Sequence, residues 1–302
     1  MIKILNEEKA KNVWNNTILP LLNCTYYQSY EYAMVYKKQD KVEFIYLDDA
    51  NKKICGFVKI EDDILKMPFG PIVSNNVSTS DVINFIKEIS DYYDKNILFL
   101  LSNSLISEMN DINIKKDWLF VTPIIDTTLS IDTIIKNSTE NRRRIIRKGL
   151  KAIPSENIKC GIRYLDEFCN LYEKRMRETN GEVDFTYDIL EGYLKQVNSN
   201  LVVCLDKNKV IAGHMIFSFG DTLITRYNCF DSEYSKISPS ARIEFELIKN
   251  ACENVNIKNY DMSGLAVGDE ISPKSMGINR YKESYNPTKR YVYQWYKYER
   301  NK

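Results

Sequence analysis

The stretch from Ser238 to Pro287 constrains the fold more than any other part of the chain, because a helix start, a short strand and a second helix follow one another within it. Ser238-Pro239-Ser240-Ala241-Arg242-Ile243-Glu244 sets a hydroxyl residue ahead of a proline, and proline fixes φ at a value suited to the first helical turn. The spacing predicts a helix capped by the Ser238 hydroxyl, with first-turn N–H groups facing outward and able to hold an anion. Tyr260-Asp261-Met262-Ser263-Gly264 reads as a strand closing in a turn, and Ile278 to Pro287 as a helix stopped by Asn286-Pro287. In that last helix Lys282 is flanked by Tyr281 and Tyr285.

The rest of the chain has the same mixed character. Val42 to Leu47 and Ile54 to Val58 read as strands joined by a turn at Asp48-Asp49-Ala50-Asn51. Asp81 to Asp94 carries Val82, Phe85, Ile86 and Ile89 at helical spacing, and Ile97 to Leu101 is a buried strand. Later come strands at Leu201 to Leu205, Val210 to Phe217, Thr222 to Phe230 and Asn259 to Met262. A final strand from Arg290 to Tyr298 sets Tyr291, Tyr293 and Trp295 on one face. The fold class is α+β, in two domains.

Composition narrows the partners. Of 302 residues, 44% are hydrophobic and 27% charged, with 42 Lys and Arg against 41 Asp and Glu. A net charge of +1 supplies no global field for nucleic acid or anionic lipid, so such a partner needs a local patch. The seven cysteines are odd in number and form no C-x-x-C pair, which argues against a disulfide framework and a zinc ribbon and for a reducing cytoplasm. With one histidine no His/Cys metal site is expected, and phosphate-loop, dinucleotide and serine-elbow motifs are missing. The polar N-terminus predicts no signal peptide, and no apolar run is long enough to span a bilayer, so membrane contact is expected to be peripheral at most.

Several residues admit two readings. Arg142, Arg143, Arg144, Arg147, Lys148 and Lys151 form the one dense basic run. On a helix Arg143, Arg147 and Lys151 share a face while Ile145, Ile146 and Leu150 supply the buried side, so the run is either a solvated amphipathic face or a phosphate track. Lys282 is either an exposed helical lysine or a cation aimed into a cleft between aromatic walls. His214, on an apolar strand, is either a core histidine or a base. Asp261 is either a turn-forming hydrogen-bond acceptor or a base whose pKa desolvation raises. Arg226 and Tyr227 lie on the strand before the Ser238 helix; Tyr227 reads as core, and a buried Arg226 would require a partner.

The order of these features resembles the FemABX aminoacyltransferases, a branch of the GNAT acyltransferase superfamily. The SP helix start at Ser238, the YD-x-GG-like Tyr260 to Gly264 and the FK-x-x-F-like Tyr281 to Tyr285 carry the resemblance in the second half. Arg142 to Gly149 matches an R-x-x-I-R-K-A/G segment, Met67 to Ile72 an aromatic-Gly-Pro strand with Phe69 and Gly70, and Gln28-Ser29 a helix start. The resemblance spans almost the whole chain and lacks room for the helical-hairpin arm of some members. It implies two tandem GNAT-like domains, each a mixed sheet flanked by helices, at residues 1–125 and 126–302, with 290–302 joined to the first. It implies an acyltransferase that moves an aminoacyl group from charged tRNA to an amine, on a lipid-linked or nucleotide-linked cell-wall precursor or another acceptor. Lys282 would stabilise the oxyanion, with Asp261 or His214 as base or no protein base at all. Arg226, Tyr227, Ser238, Arg242, Tyr281, Tyr285, Phe69, Gly70, Arg143, Arg147, Lys148 and Lys151 would bind donor and acceptor. No tightly bound cofactor is expected. No glycine lies between Gly220 and Gly264, so a glycine-rich pyrophosphate turn is lacking at this helix, which disfavours acetyl-CoA. An acyl-CoA or acyl-carrier donor, and a non-catalytic RNA-binding scaffold, remain the alternatives.

Overall fold

The computed structural model describes residues 2–14, 26–37, 41–49, 52–102, 109, 111–196, 198–268 and 271–300. The chain divides into two compact units, Met1–Phe120 with Tyr291–Lys302, and Val121–Arg290. In chain order the first contains β1 (Lys3–Leu5), α1 (Glu7–Val13), α2 (Tyr30–Tyr36), β2 (Lys41–Asp49), β3 (Lys52–Ile60), β4 (Ile64–Met67), β5 (Ile72–Val73), α3 (Thr79–Tyr93) and β6 (Asn96–Ser102). β7 (Ile114–Asp126) begins in this unit and ends in the second. The second unit continues with α4 (Ile131–Asn137), α5 (Glu140–Ala152), β8 (Ile158–Cys160), α6 (Leu165–Glu178), α7 (Tyr187–Gln196), β9 (Ser199–Asp206), β10 (Lys209–Phe219), β11 (Thr222–Phe230), α8 (Pro239–Glu253), β12 (Asn259–Asp261), β13 (Leu265–Ala266) and α9 (Pro273–Glu283). Finally β14 (Lys289–Tyr298) carries the chain back to the first.

In the first unit β1, β2, β3 and β4 pair antiparallel in turn, β4 pairs parallel with β6, and β14 runs antiparallel on β6. A parallel pair needs a crossover, and α3 supplies it. Ser78 caps α3 through a capping box in which its hydroxyl accepts from Asp81 N and Asp81 accepts from Ser78 N. The expected stripe of Val82, Phe85, Ile86 and Ile89 is buried, against Ile97, Phe99, Tyr296 and Tyr298. β2 runs through Asp48 and Asp49 of the expected turn, and Ala50 and Asn51 lie outside the described residues. Phe69 and Gly70 occupy the turn between β4 and β5 and not a strand, with Phe69 at φ 53°. β14 sets Tyr291, Tyr293 and Trp295 on one face, as expected. Gln294, Tyr296 and Tyr298 are its buried residues, because the α3-packed side of β6 receives Tyr296 on Phe99; Tyr291, Tyr293 and Trp295 take the less buried side.

The second unit repeats the plan without repeating the sequence. β7, β12, β11, β10, β9 and β8 lie side by side, antiparallel except for the β11/β12 pair, whose crossover is α8. Ile243, Leu247, Ile248 and Ala251 of α8 join Ile146 of α5, Val202, Ala212, Leu223 and Tyr260 in one core. α5 meets α8 so closely that a Cβ on Gly149 would stand 3.2 Å from Ser238 O. The apolar side expected for α5 needs correction: Leu150 is exposed, and Arg142, Ile146 and Gly149 at i, i+4 and i+7 are the buried stripe. A bulge in β11 sets Tyr227 at φ 54°, between the Gly213–Cys229 and Met215–Arg226 pairs. No helix among the described residues is long and apolar enough to cross a membrane.

Candidate active site

Asp261 ends β12, and the turn that follows it receives Lys282 from α9. After Asp261 the chain turns through Ser263, at φ 60°, whose N–H donates to Asp261 Oδ1 at 2.6 Å. That turn directs two carbonyls at the lysine: Lys282 Nζ donates to Ser263 O at 3.0 Å and to Gly264 O at 2.7 Å. An ammonium has three donors, so one remains uncommitted among the described contacts. Desolvation raises the Asp261 pKa to about 7, against the opposing pull of the Ser263 N–H and the Lys282 charge. Desolvation also lowers Lys282 to about 8, with Asp261 and Glu244 acting the other way. A carboxyl and an ammonium whose charges bear on each other are thereby tuned towards neutral pH, which suits proton transfer and charge stabilisation in one site.

Behind this pair stands a buried polar cluster. Glu244, on α8, is wholly buried. Its Oε1 accepts from Tyr260 Oη at 2.7 Å, and its Oε2 from Tyr281 Oη at 2.9 Å. His214 Nδ1 lies 3.5 Å from Glu244 Oε2, while Nε2 shares a 2.8 Å hydrogen bond with Ser240 Oγ. Burial lowers the His214 pKa, favouring the neutral ring. Arg142, reaching from α5, stacks its guanidinium 4.1 Å from the centre of the Tyr281 ring and 4.8 Å from that of Tyr285. Its Nε donates to Ser284 Oγ and its Nη2 to Tyr281 O, which satisfies acceptors at the C-terminal end of α9.

The remaining expected residues fall elsewhere. Tyr281 and Tyr285 flank Arg142, not Lys282: one ring is anchored by Glu244 and the other is buried in the core. Ser238 holds the N-cap position of α8 in the left-handed region, at φ 57°, and its side chain makes no cap bond, because that backbone turns the hydroxyl away. Arg242 is buried rather than open to a ligand, donating to Ile153 O and pairing with Glu246. Arg143 is spent on the end of α4, where it donates to Lys136 O and Ser138 O. Arg147, Lys148 and Lys151 are exposed on α5. Arg226 pairs with Asp184 at 3.4 Å and lies over the Tyr227 ring, and Tyr227 packs into Tyr172 and Phe185. In the first unit Phe69 stacks on Tyr27 with centroids 3.9 Å apart, and Gly70 O accepts from Leu100 N.

Residue types alone gave no sign of Glu244 and Arg142, since charged side chains on helices usually face water. Their position carried the signal. Glu244 shares the buried stripe of α8 with Ala241, Leu247, Ile248 and Ala251, as Arg142 does that of α5.

Residues 140–283 match the family model of the acetyltransferase (GNAT) domain. Among solved structures, FemX superposes with a TM-score of 0.75 at 12% identity, over 100% of this chain and 98% of its own. The C-terminal domain of a putative lysylphosphatidylglycerol synthetase from Agrobacterium fabrum gives 0.62 at 10% identity, over 98% and 93%. A tandem GNAT protein from the clavulanic acid biosynthesis pathway gives 0.57 at 8% identity, over 100% of each chain. No curated protein matches the sequence. At such identities the structural likeness is one of fold.

Proposed function

We propose that this acyltransferase, a tandem-GNAT chain with the fold of FemX and an acetyltransferase-family domain at residues 140–283, moves an aminoacyl group from charged tRNA to an amine. One observation carries the reading: Lys282, half-buried, is held with one donor to spare on two carbonyls of the turn that follows Asp261, whose pKa is raised to about 7. A lysine turned to bulk solvent would have favoured a scaffold.

In this mechanism the acceptor amine attacks the carbonyl carbon of the aminoacyl ester, forming the C–N bond while the carbonyl oxygen gains negative charge. Lys282 stabilises that charge through its remaining N–H, an interaction present only once the tetrahedral intermediate develops. Asp261 accepts the proton released by the amine. The C–O bond then breaks, and the 3′ oxygen of the donor takes up a proton as it leaves. His214, wholly buried and tied to Ser240, is left to structure.

Arg147, Lys148 and Lys151 supply an exposed phosphate track for the donor, which needs no base readout. One structural neighbour supports an aminoacyl cargo by name, the Agrobacterium fabrum domain of a putative lysylphosphatidylglycerol synthetase. A cell-wall precursor amine is the acceptor that the resemblance to the FemABX aminoacyltransferases implies. The second reading, an acyl-CoA donor, is favoured by the description of the matching family as acetyltransferase.

The deciding assay offers charged tRNA or an acyl-CoA pool as donor, with mass detection of the acylated acceptor. Product should require tRNA and vanish after ribonuclease treatment. Undiminished product after ribonuclease with acyl-CoA present would hand the function to the second reading.

A further inference from the structure

We propose that Glu244 is a positioning residue for acyl transfer: fixed on α8, its carboxylate ties the end of β12 to α9 and so sets where Lys282 stands relative to Asp261. This inference rests on the roles given to Lys282 and Asp261 above.

The geometry behind it is a sequence coincidence made physical. Tyr260 immediately precedes Asp261, and Tyr281 immediately precedes Lys282. Each of these tyrosines donates its hydroxyl to a different oxygen of the same carboxylate. Consecutive Cα atoms are held about 3.8 Å apart by covalent geometry, so anchoring the two tyrosines anchors the backbone from which both working side chains rise. In β12 neighbouring residues point to opposite faces, so Tyr260 goes into the core while Asp261 is left at the site.

Stability alone does not account for this arrangement. Glu244 is wholly buried, and among the described residues the one basic group within ion-pair distance is His214, whose ring burial keeps towards the neutral form. A buried carboxylate balanced by hydroxyls costs desolvation that an apolar side chain of similar size would avoid. The arrangement gains direction, since hydrogen bonds fix an angle and a register where apolar packing tolerates sliding. Arg142 lies over the face of the Tyr281 ring while Glu244 takes its hydroxyl, so α9 is gripped from α5 and α8 together.

The test compares Glu244→Gln, Tyr281→Phe and Lys282→Ala in the full chain, with kcat, KM, the pH profile and thermal unfolding measured for each. Glutamine keeps the size but turns an N–H₂ towards one of the tyrosines. For Glu244→Gln the expected result is kcat lower by on the order of 100-fold, the penalty of about 1 Å of misplacement, with KM for both substrates nearly unchanged. The alkaline limb should also move to lower pH. The charged groups that bear on Lys282 are Asp261 from β12 and Glu244 from α8, and removing the second favours the neutral amine. Tyr281→Phe keeps the carboxylate, so kcat should fall without moving the limb. Unchanged kcat in folded Glu244→Gln, or a fall in kcat matched by a fall in unfolding temperature with the limb fixed, overturns the proposal. If Glu244→Gln does not fold, Tyr281→Phe decides: reduced kcat at unchanged KM and unfolding temperature supports it, and wild-type kcat overturns it. Wild-type turnover in Lys282→Ala would instead remove the reading of the site on which this rests.

Discussion

In the proposed mechanism the protonation states of Lys282 and Asp261 define a working window. Asp261 must be ionised to accept the amine proton, and its pKa is raised to about 7, so the rate should climb as pH rises through that value. Lys282 must be charged to stabilise the oxyanion, and its pKa is lowered to about 8, so the rate should fall as pH rises further. A bell-shaped kcat/KM profile with its maximum between the two is expected, and Asp261→Asn should erase the acidic limb with most of the rate. A flat profile over this range would contradict the assignment. Both residues were candidates from the sequence, through the YD-x-GG-like and FK-x-x-F-like segments that carry the resemblance, each beside a structural reading. Glu244 and Arg142 did not stand out. Their charge argued for the surface, and only their place on an apolar stripe, with a partner chemistry that folding alone reveals, marks them as buried.

At the scale of elements, patterns of period and cap translate well where one local rule decides. The α3 stripe follows from apolar spacing, while the helix begins at Thr79, ahead of the expected Asp81, because Ser78 and Asp81 close a capping box. Ser78→Ala should remove about 1 kcal/mol from the stability of the first unit in chemical denaturation while leaving turnover unchanged, and an unaltered unfolding curve would refute the cap. Where two faces compete, local rules fall short. β14 alternates large aromatic residues with Gln294, Tyr296 and Tyr298, so both faces look apolar, and the α3 core chooses between them. Likewise Ser238 heads α8 as its proline suggests, yet its left-handed backbone withholds the hydroxyl that a cap requires.

Across the whole molecule, each unit builds a mixed sheet around one parallel pair bridged by a helix, β4/α3/β6 in the first and β11/α8/β12 in the second. That repetition was readable from the order of elements although no sequence repeat announces it, since topology depends on patterning and not on identity. Donor recognition belongs to this scale as well. Replacing Arg147, Lys148 and Lys151 together by alanine should raise KM for charged tRNA and flatten the dependence of log affinity on log salt by about 1 per lost phosphate contact, with kcat little changed. An unchanged salt slope would dismiss the phosphate track. The central claim is that acyl transfer runs on the charge of Lys282, and the most direct measurement is single-turnover transfer by Lys282→Ala, alongside its unfolding curve. The expected result is a folded protein slower by on the order of 100- to 1000-fold, with partial recovery in Lys282→Arg. A folded Lys282→Ala protein that transfers at the wild-type rate would contradict it.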